Sequence, residues 1–182
     1  IEYQAGIRSE YLKRSIVGIN RSDIHKLNQI DFYPSIHLSR NLASGNSIMT
    51  SYSRRVNMPR GWYLEPATYY IDRNNVRKGN PDLKPEYIDS YEIDWQKKWE
   101  KKYSLNTGIY YKITHDKISW ISSNEATDTV IIQTVENINE DYSLGMELLF
   151  NYDINKKLSF NVKGNFYNYR IGVSIFTIPQ VF

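Results

Sequence analysis

The stretch Gly79-Asn80-Pro81-Asp82-Leu83-Lys84-Pro85-Glu86, running straight into Tyr87–Trp99, decides how this chain folds. Asn80-Pro81 and Lys84-Pro85 each fix one backbone φ and push the preceding residue out of the helical region. Gly79 supplies the freedom needed to enter such a connection. The run that follows alternates. Tyr91, Ile93, Trp95, Lys97 and Trp99 share one face of a strand, while Ser90, Glu92, Asp94, Gln96 and Lys98 share the other. Two environments explain such a strand: a soluble sheet with one dry face, or a membrane strand with lipid outside and water inside.

The same alternation recurs along the chain, and it predicts seven strand-like segments. The first is Tyr3–Leu12, with Tyr3, Ala5, Ile7, Ser9 and Tyr11 aligned. A polar connection over 14–29 follows, in which Ile16, Val17 and Ile19 suggest a small extra strand. The second and third segments are Asp31–Asn41 and Ser47–Asn57, joined by the turn Ala43-Ser44-Gly45-Asn46. The irregular stretch Met58–Glu86 holds four of the six Pro residues. The fourth segment is Tyr87–Trp99, and Lys97–Lys102 makes its return. The fifth is Tyr103–Ser122 and the sixth Thr129–Tyr152, with a polar link over 123–128. The turn Asp153–Lys157 leads to the seventh, which starts at Leu158.

Two regularities favour a membrane. Short connections near 43–46, 98–102 and 153–157 alternate with longer ones over 14–29, 58–86 and 123–128, as in an up-and-down outer-membrane barrel. The apolar faces begin and end in Tyr, Trp or Phe, which suits the two interfaces of a bilayer. Arg8, Glu10, Arg55, Glu92, Asp94, Glu147 and Lys163 fall on the opposite faces, where a water-filled interior would solvate them.

Composition agrees. With 182 residues the chain can build one sizeable domain, and its 16 Tyr and 4 Trp suit strands and interfaces. The mean hydropathy of −0.58 and the lack of a long apolar run exclude membrane helices but not membrane strands. A net charge of +3 argues against a nucleic-acid surface. The absence of Cys removes disulfides, thiol catalysis and cysteine metal sites. Ile1–Arg8 already reads as strand rather than as a targeting segment, and strand pattern persists over Leu158–Tyr169. The expectation is a piece of a longer chain.

Several stretches together resemble a known family. Ser51-Tyr52-Ser53-Arg54-Arg55-Val56-Asn57-Met58-Pro59, the Gly79–Glu86 octapeptide and Ser90-Tyr91-Glu92-Ile93 are similar to the barrel of TonB-dependent outer-membrane receptors. Ala5–Tyr11, Tyr33-Pro34-Ser35 and Gly145-Met146-Glu147 add weaker matches in the same order. The resemblance implies residues 1–182 as one segment of such a barrel, in the bacterial outer membrane. It implies a partial, antiparallel up-and-down transmembrane β-barrel of about seven strands, against about 22 for plugged transporters. No plug domain and no energy-coupling box are recognisable. In the full-length protein the implied partners are outer-membrane lipid, a plug domain, the TonB system and a scarce nutrient: an iron chelate, a cobalamin or a glycan.

The candidate residues follow. Gly79, Asn80, Pro81, Asp82, Leu83, Lys84, Pro85, Glu86, Tyr91 and Glu92 form the family motif. A structural role is expected for it, with Glu86 or Lys84 anchoring the loop through a charge-assisted bond. Trp62, Tyr63, Tyr69 and Tyr70 form a candidate ligand-facing loop, because aromatic faces stack on sugars and flat chelates. The competing expectation for them is loop packing and an external aromatic girdle, which is also the expectation for Trp95 and Trp120. His25, His37 and His115 lack metal-ligand spacing, and no nucleophile elbow or phosphate loop occurs, so no enzyme activity, cofactor or metal is expected. The basic turn Lys97–Lys102 suggests anionic lipid or nucleic acid, yet Glu100 interrupts it and a solvated hairpin end is the plainer reading. The alternative to a receptor wall is a soluble all-β carbohydrate-binding module. The two differ in one respect: a soluble fold gathers Tyr91, Ile93, Leu144, Leu148 and Phe160 into a shared dry centre.

Overall fold

The computed structural model describes residues 1–18, 23–99, 102–124, 130–155 and 157–172. Among them lie eleven strands: β1 (Glu2–Val17), β2 (Ile24–Asn41), β3 (Asn46–Asn57), β4 (Thr68–Tyr70), β5 (Asn75–Lys78), β6 (Glu86–Trp99), β7 (Tyr103–His115), β8 (Ile118–Asn124), β9 (Ile131–Asn137), β10 (Asp141–Asn155) and β11 (Leu158–Ile171). Seven form one sheet in the order β1-β2-β3-β6-β7-β10-β11, and four form a second, β4-β5-β9-β8. Every pair in the large sheet is antiparallel, whereas β5 and β9 pair in parallel. The large sheet is open, with β1 and β11 at its edges.

The register carries each side-chain row straight across the sheet. On one face Tyr52, Tyr91 and Tyr111 stand opposite one another, followed by Leu144 on β10. Their rings, with that of Tyr142, form a ladder with centroid spacings of 5.0, 6.5 and 6.4 Å. Towards the short turns Trp99, Tyr103, Tyr152 and Phe160 make a second aromatic row, with Tyr103 stacked on Tyr152 at 4.6 Å. Between the two rows lie Leu38, Thr50, Ile93, Ile109, Met146 and Phe166, and then Ile48, Trp95 and Leu148. From Tyr91 to Trp99 the chain takes nine residues, the length of a tilted strand crossing hydrocarbon.

No dry centre collects these residues. Tyr91, Ile93, Leu144 and Phe160 are 47%, 60%, 54% and 54% exposed. Among the described residues the buried apolar side chains are few, namely Tyr33, Val76, Leu83 and Val135, and most of them belong to the second sheet and its connections. An aliphatic side chain removed from water contributes about 1.5–3 kcal/mol, and here a whole face of them has no protein cover. A soluble sandwich does not fit that surface; a lipid-facing one does. The opposite face carries His37, Ser51, Glu92 and Tyr110 in one row and Ser39, Asp94, Gly108, Glu147 and Asn165 in the next.

Four sequence expectations need correction. The polar connection over 14–29 is largely paired: Arg14–Val17 and Ile24–Gln29 extend the first hairpin, with Ile16 opposite His25. Ile19 lies outside the described residues. Alternation fades there because water bathes both faces, so the ladder persists without a hydropathy signal. The fifth segment breaks at Asp116, whose φ of 52° ends β7 and starts β8. The sixth likewise divides into β9 and β10 at Ile138–Glu140, and the stretch 58–86 contains β4 and β5. The short turns fall at one end of the large sheet and the longer connections at the other, although residues 125–128 of the link over 123–128 lie outside the described residues.

Leu148 sits midway between the aromatic rows on the apolar face. In lipid vesicles Leu148→Lys should cost about 2–4 kcal/mol of folding free energy, read by urea titration of the full-length protein. Asn161→Lys, on the opposite face, should stay within about 0.5 kcal/mol. Equal costs at both sites would remove the assignment of lipid to one face.

Candidate functional site

The Gly79–Glu86 octapeptide sits where the two sheets meet. Gly79 passes so close beneath the 61–65 segment that a Cβ would lie 2.3 Å from the Glu65 carbonyl oxygen and 2.8 Å from that of Tyr63. Only glycine fits. The Asn80 amide donates to the Tyr63 carbonyl at 2.7 Å, and the Asn80 side-chain oxygen accepts from the Asp82 amide at 3.0 Å. Leu83 is fully buried, and Pro81 and Pro85 are buried beside it. The Asp82 carboxylate meets His25 of β2 at 2.7 Å. The Arg14 guanidinium of β1 donates to the carbonyls of Pro81, at 3.1 Å, and Leu83.

Two side chains lock the segment to the strands. Asn137 of β9 accepts from the Lys84 amide at 2.8 Å and donates to the Lys84 carbonyl at 3.0 Å, copying a backbone bridge. It also donates to the Asp116 carbonyl at 2.7 Å, at the break between β7 and β8. Glu86, 3% exposed, accepts from Asn57 Nδ2 at 2.5 Å and from the Ile118 amide at 2.7 Å, with the Lys117 ammonium at 3.4 Å. Glu86 therefore makes the charge-assisted anchor that the sequence suggested. Lys84 anchors through its backbone instead, and its side chain is exposed. Tyr91 stands in the outer aromatic row and Glu92 on the polar face.

The four loop aromatics do not form one cluster. Trp62 and Tyr63 occupy a 3-10 turn, Gly61–Tyr63, and pack on each other at 4.2 Å and on Trp120 of β8 at 5.7 Å each. The Arg77 guanidinium of β5 covers Trp120 at 4.8 Å and reaches Gln133 at 3.4 Å, while its Nε is buried without a partner among the described residues. Trp120 opposite Val135 shares a face with Asn137, so this patch lies on the side of the second sheet that grips the octapeptide. Trp120 thus stands on the second sheet and Trp95 between the two aromatic rows of the large one, so neither is a girdle residue. Tyr69 and Tyr70 lie on β4, where Tyr69 donates to the Glu65 carboxylate and Tyr70 is exposed.

Sequence reading did not find a third feature, because it joins residues far apart in the chain. The His115 ring lies between Glu140, at 2.6 Å from Nδ1, and Asp89, at 3.0 Å from Nε2. Each ring nitrogen thus has a carboxylate oxygen within hydrogen-bond distance. Tyr52 donates to the other Asp89 oxygen at 2.7 Å, Tyr142 donates to Glu140, and Arg54 stands 4.0 Å from Asp89. The knot ties the top of the tyrosine ladder to the β9–β10 connection. Among the described residues no His, Cys, Asp and Glu cluster has the geometry of a metal site.

With this architecture in place, relatives can be compared. The profile of the "Outer membrane protein beta-barrel family" matches residues 1–178. The chain belongs to that family. The siderophore receptor PirA of Pseudomonas aeruginosa superposes with a TM-score of 0.67 at 14% identity, covering 91% of this chain and 34% of PirA. The FrpB iron transporter of Neisseria meningitidis superposes at 0.61 and 14% identity, covering 92% and 23%. The Serratia marcescens hemophore receptor HasR superposes at 0.60 and 12% identity, covering 83% and 27%. The chain thus spans about a quarter to a third of each structure. No curated protein matches the sequence. The fold is that of a wall segment of these receptor and transporter barrels, and the family places the chain in the bacterial outer membrane.

In this outer membrane β-barrel protein the tyrosine ladder marks one membrane interface, and the second sheet stands beyond it. Asn137→Ala removes three hydrogen bonds, each worth about 1 kcal/mol net. Local opening of the joint should become easier by about 2–3 kcal/mol, seen as faster amide exchange at Lys84 and Ile118 with the wall strands unchanged. The Tyr142 hydroxyl, then His115, hold the Glu140 carboxyl below its ordinary range. Its contribution is therefore complete above the ordinary Glu value and is lost as pH falls through the lowered one. Exchange at Asn137–Asp141 should accelerate across that acidic window, and Glu140→Gln should abolish the step.

Proposed function

We propose that this chain is a wall segment of a TonB-dependent receptor that takes up a scarce nutrient: an iron chelate, a cobalamin or a glycan. The rest of the barrel, a plug domain and the TonB energy-coupling system would belong to the full-length protein. The observation that carries the reading is the aromatic patch beside the octapeptide, where Trp62 and Tyr63 of the 3-10 turn pack on Trp120 of β8 under the Arg77 guanidinium. Trp62 is 44% exposed and Trp120 38%, so part of each indole remains open to a flat or ring-shaped ligand. Arg77 adds a fixed positive charge beside them, suited to a ligand carrying carboxylate or phenolate groups.

The wall below is wet and charged, with Arg8, Glu10, Glu92, Asp94, Glu147 and Lys163 on one face. Arg8 pairs with Glu10 along its own strand at 3.2 Å. This surface suits a hydrated interior packed by a plug. The octapeptide holds the vestibule to the wall, and its role in this reading is to position Trp62 and Trp120 rather than to touch ligand. No bond is made or broken in such a cycle, so the reading is transport and not catalysis.

Trp62→Ala with Trp120→Ala in the full-length receptor should lower nutrient-limited growth and ligand affinity at least tenfold, against an unchanged heat-modifiable band for the folded barrel. About 1–3 kcal/mol per lost stacking face supports that size. Unaltered uptake by the folded double variant would overturn the assignment of the patch to ligand. Asn137→Ala should lower uptake less, and through affinity alone.

A further inference from the structure

The short-turn end of the wall carries a site that the uptake reading does not use. The three short turns are stitched together: the Lys98 amide donates to the Gly45 carbonyl at 2.9 Å, and the Asp153 amide to the Lys102 carbonyl at 2.8 Å. The Lys157 amide donates to the Asn155 side chain at 2.8 Å, which fixes the last turn. Between the β6–β7 and β10–β11 turns opens a cleft of about 590 Å³, lined by Lys102, Asp153, Ile154, Asn155, Lys157, Leu158 and Ser159. No ion pair among the described residues holds the Lys102 or Lys157 ammonium.

The surroundings say what the cleft meets. Trp99, Tyr103, Tyr152 and Phe160 form the lower aromatic row, which sets the level of the interface. Ile154 and Leu158, 44% and 54% exposed, lie at that level beside the two lysines. Lys97 has already bent back, donating to the Ser44 carbonyl at 2.7 Å with its ammonium 5.7 Å from the Trp99 ring. Apolar side chains under a pair of free ammonium groups match a lipid, with hydrocarbon below and negative charge above. Asp153 is the one carboxylate among the described lining residues, and it leaves the pair in excess.

We propose that this cleft binds the headgroup of an anionic phospholipid of the adjoining leaflet. The phosphate lies between Lys102 and Lys157, and the acyl chains run along Ile154, Leu158 and Phe160. The inference rests on the membrane placement of the wall and not on any nutrient. The basic turn is therefore a lipid contact once the neighbouring hairpin is beside it, and not only a solvated hairpin end. Each lysine near a charged surface contributes roughly a fivefold change in lipid partition.

The test uses the full-length receptor in nanodiscs of zwitterionic phosphatidylcholine with a minor fraction of phosphatidylglycerol. Lipids retained after exchange into detergent are counted by mass spectrometry. The wild type should retain phosphatidylglycerol preferentially, and Lys102→Gln with Lys157→Gln should lose that preference more than tenfold. Lys102→Arg with Lys157→Arg should keep it, and Lys163→Gln on the polar wall should not alter it. Heat-modifiable migration confirms that each variant is folded. Retention of both lipids in proportion to supply, or an unchanged preference in the folded glutamine variant, would overturn the proposal. Nutrient uptake is measured in parallel, so failure here is distinguishable from failure of the transport reading.

Discussion

Hydrocarbon offers no hydrogen bonds, and that one constraint orders the rest of the molecule. A backbone N–H or C=O facing lipid without a partner costs several kcal/mol, so strands in the band must be paired on both sides. β3, β6, β7 and β10 meet that demand without interruption between the aromatic rows. Irregularities fall outside it. The register shift in β10 lies at Asp153/Asn155, beyond Tyr152, and the left-handed residue Asp116 lies beyond the tyrosine ladder. Pro34, which has no N–H, sits where the β2–β3 ladder ends at Ser35. An unbroken ladder also fixes parity, since a slip of one residue would turn Glu92, Asp94 and Glu147 into lipid together.

Once the strands leave the band, water supplies the missing partners and the chain gains freedom to branch. The second sheet uses it, and the octapeptide prevents that freedom from becoming disorder. Its prolines remove two amide donors and two flexible φ angles. Its remaining polar groups meet Arg14, His25, Asn137 and Tyr63. Glu86 is buried with an ammonium and two N–H donors around it, an arrangement that compensates the desolvation of a carboxylate. The segment thus joins β1, β2, β3, β8 and β9 at one place. This is why a connection between β5 and β6 can hold the position of the aromatic patch.

The sequence made the wall legible because every strand in it carries the same two-solvent signature. Tyr91 to Trp99 and Tyr142 to Tyr152 announce their faces residue by residue. Outside the band that signature vanishes, which is why β4, β5 and the upper halves of β1 and β2 read as loop. The breaks at Asp116 and at Ile138–Glu140 show only as a change of phase, since Ile118 falls out of step with Ile113, and Ile131 and Val135 with Tyr142. Side-chain meetings at long range were out of reach altogether. Nothing in the spacing of Trp62 and Trp120, or of Asp89, His115 and Glu140, predicts contact: the 3-10 turn lays Trp62 on β8, and the pairing of β7 with β6 and β10 gathers the other three. The buried Glu86 was foreseeable only as part of a motif.

The polar wall shows how a charged surface can remain smooth. Asp94 lies against Gly108, and the Tyr110 ring lies flat over Gly145 on the next strand. A Cβ at Gly145 would come within 2.3 Å of the Tyr110 ring, and one at Gly108 within 2.4 Å of the Asp94 carboxylate. Either substitution would lift a large side chain off the sheet and into the lumen. Aromatic cover of a strand glycine restores the packing that the missing side chain forfeits. It also keeps the polar groups close to the sheet. The small residues are thus what lets Tyr110 and Asp94 lie along the sheet, at positions set by the same alternation that sends Ile109 and Met146 into lipid on the reverse side.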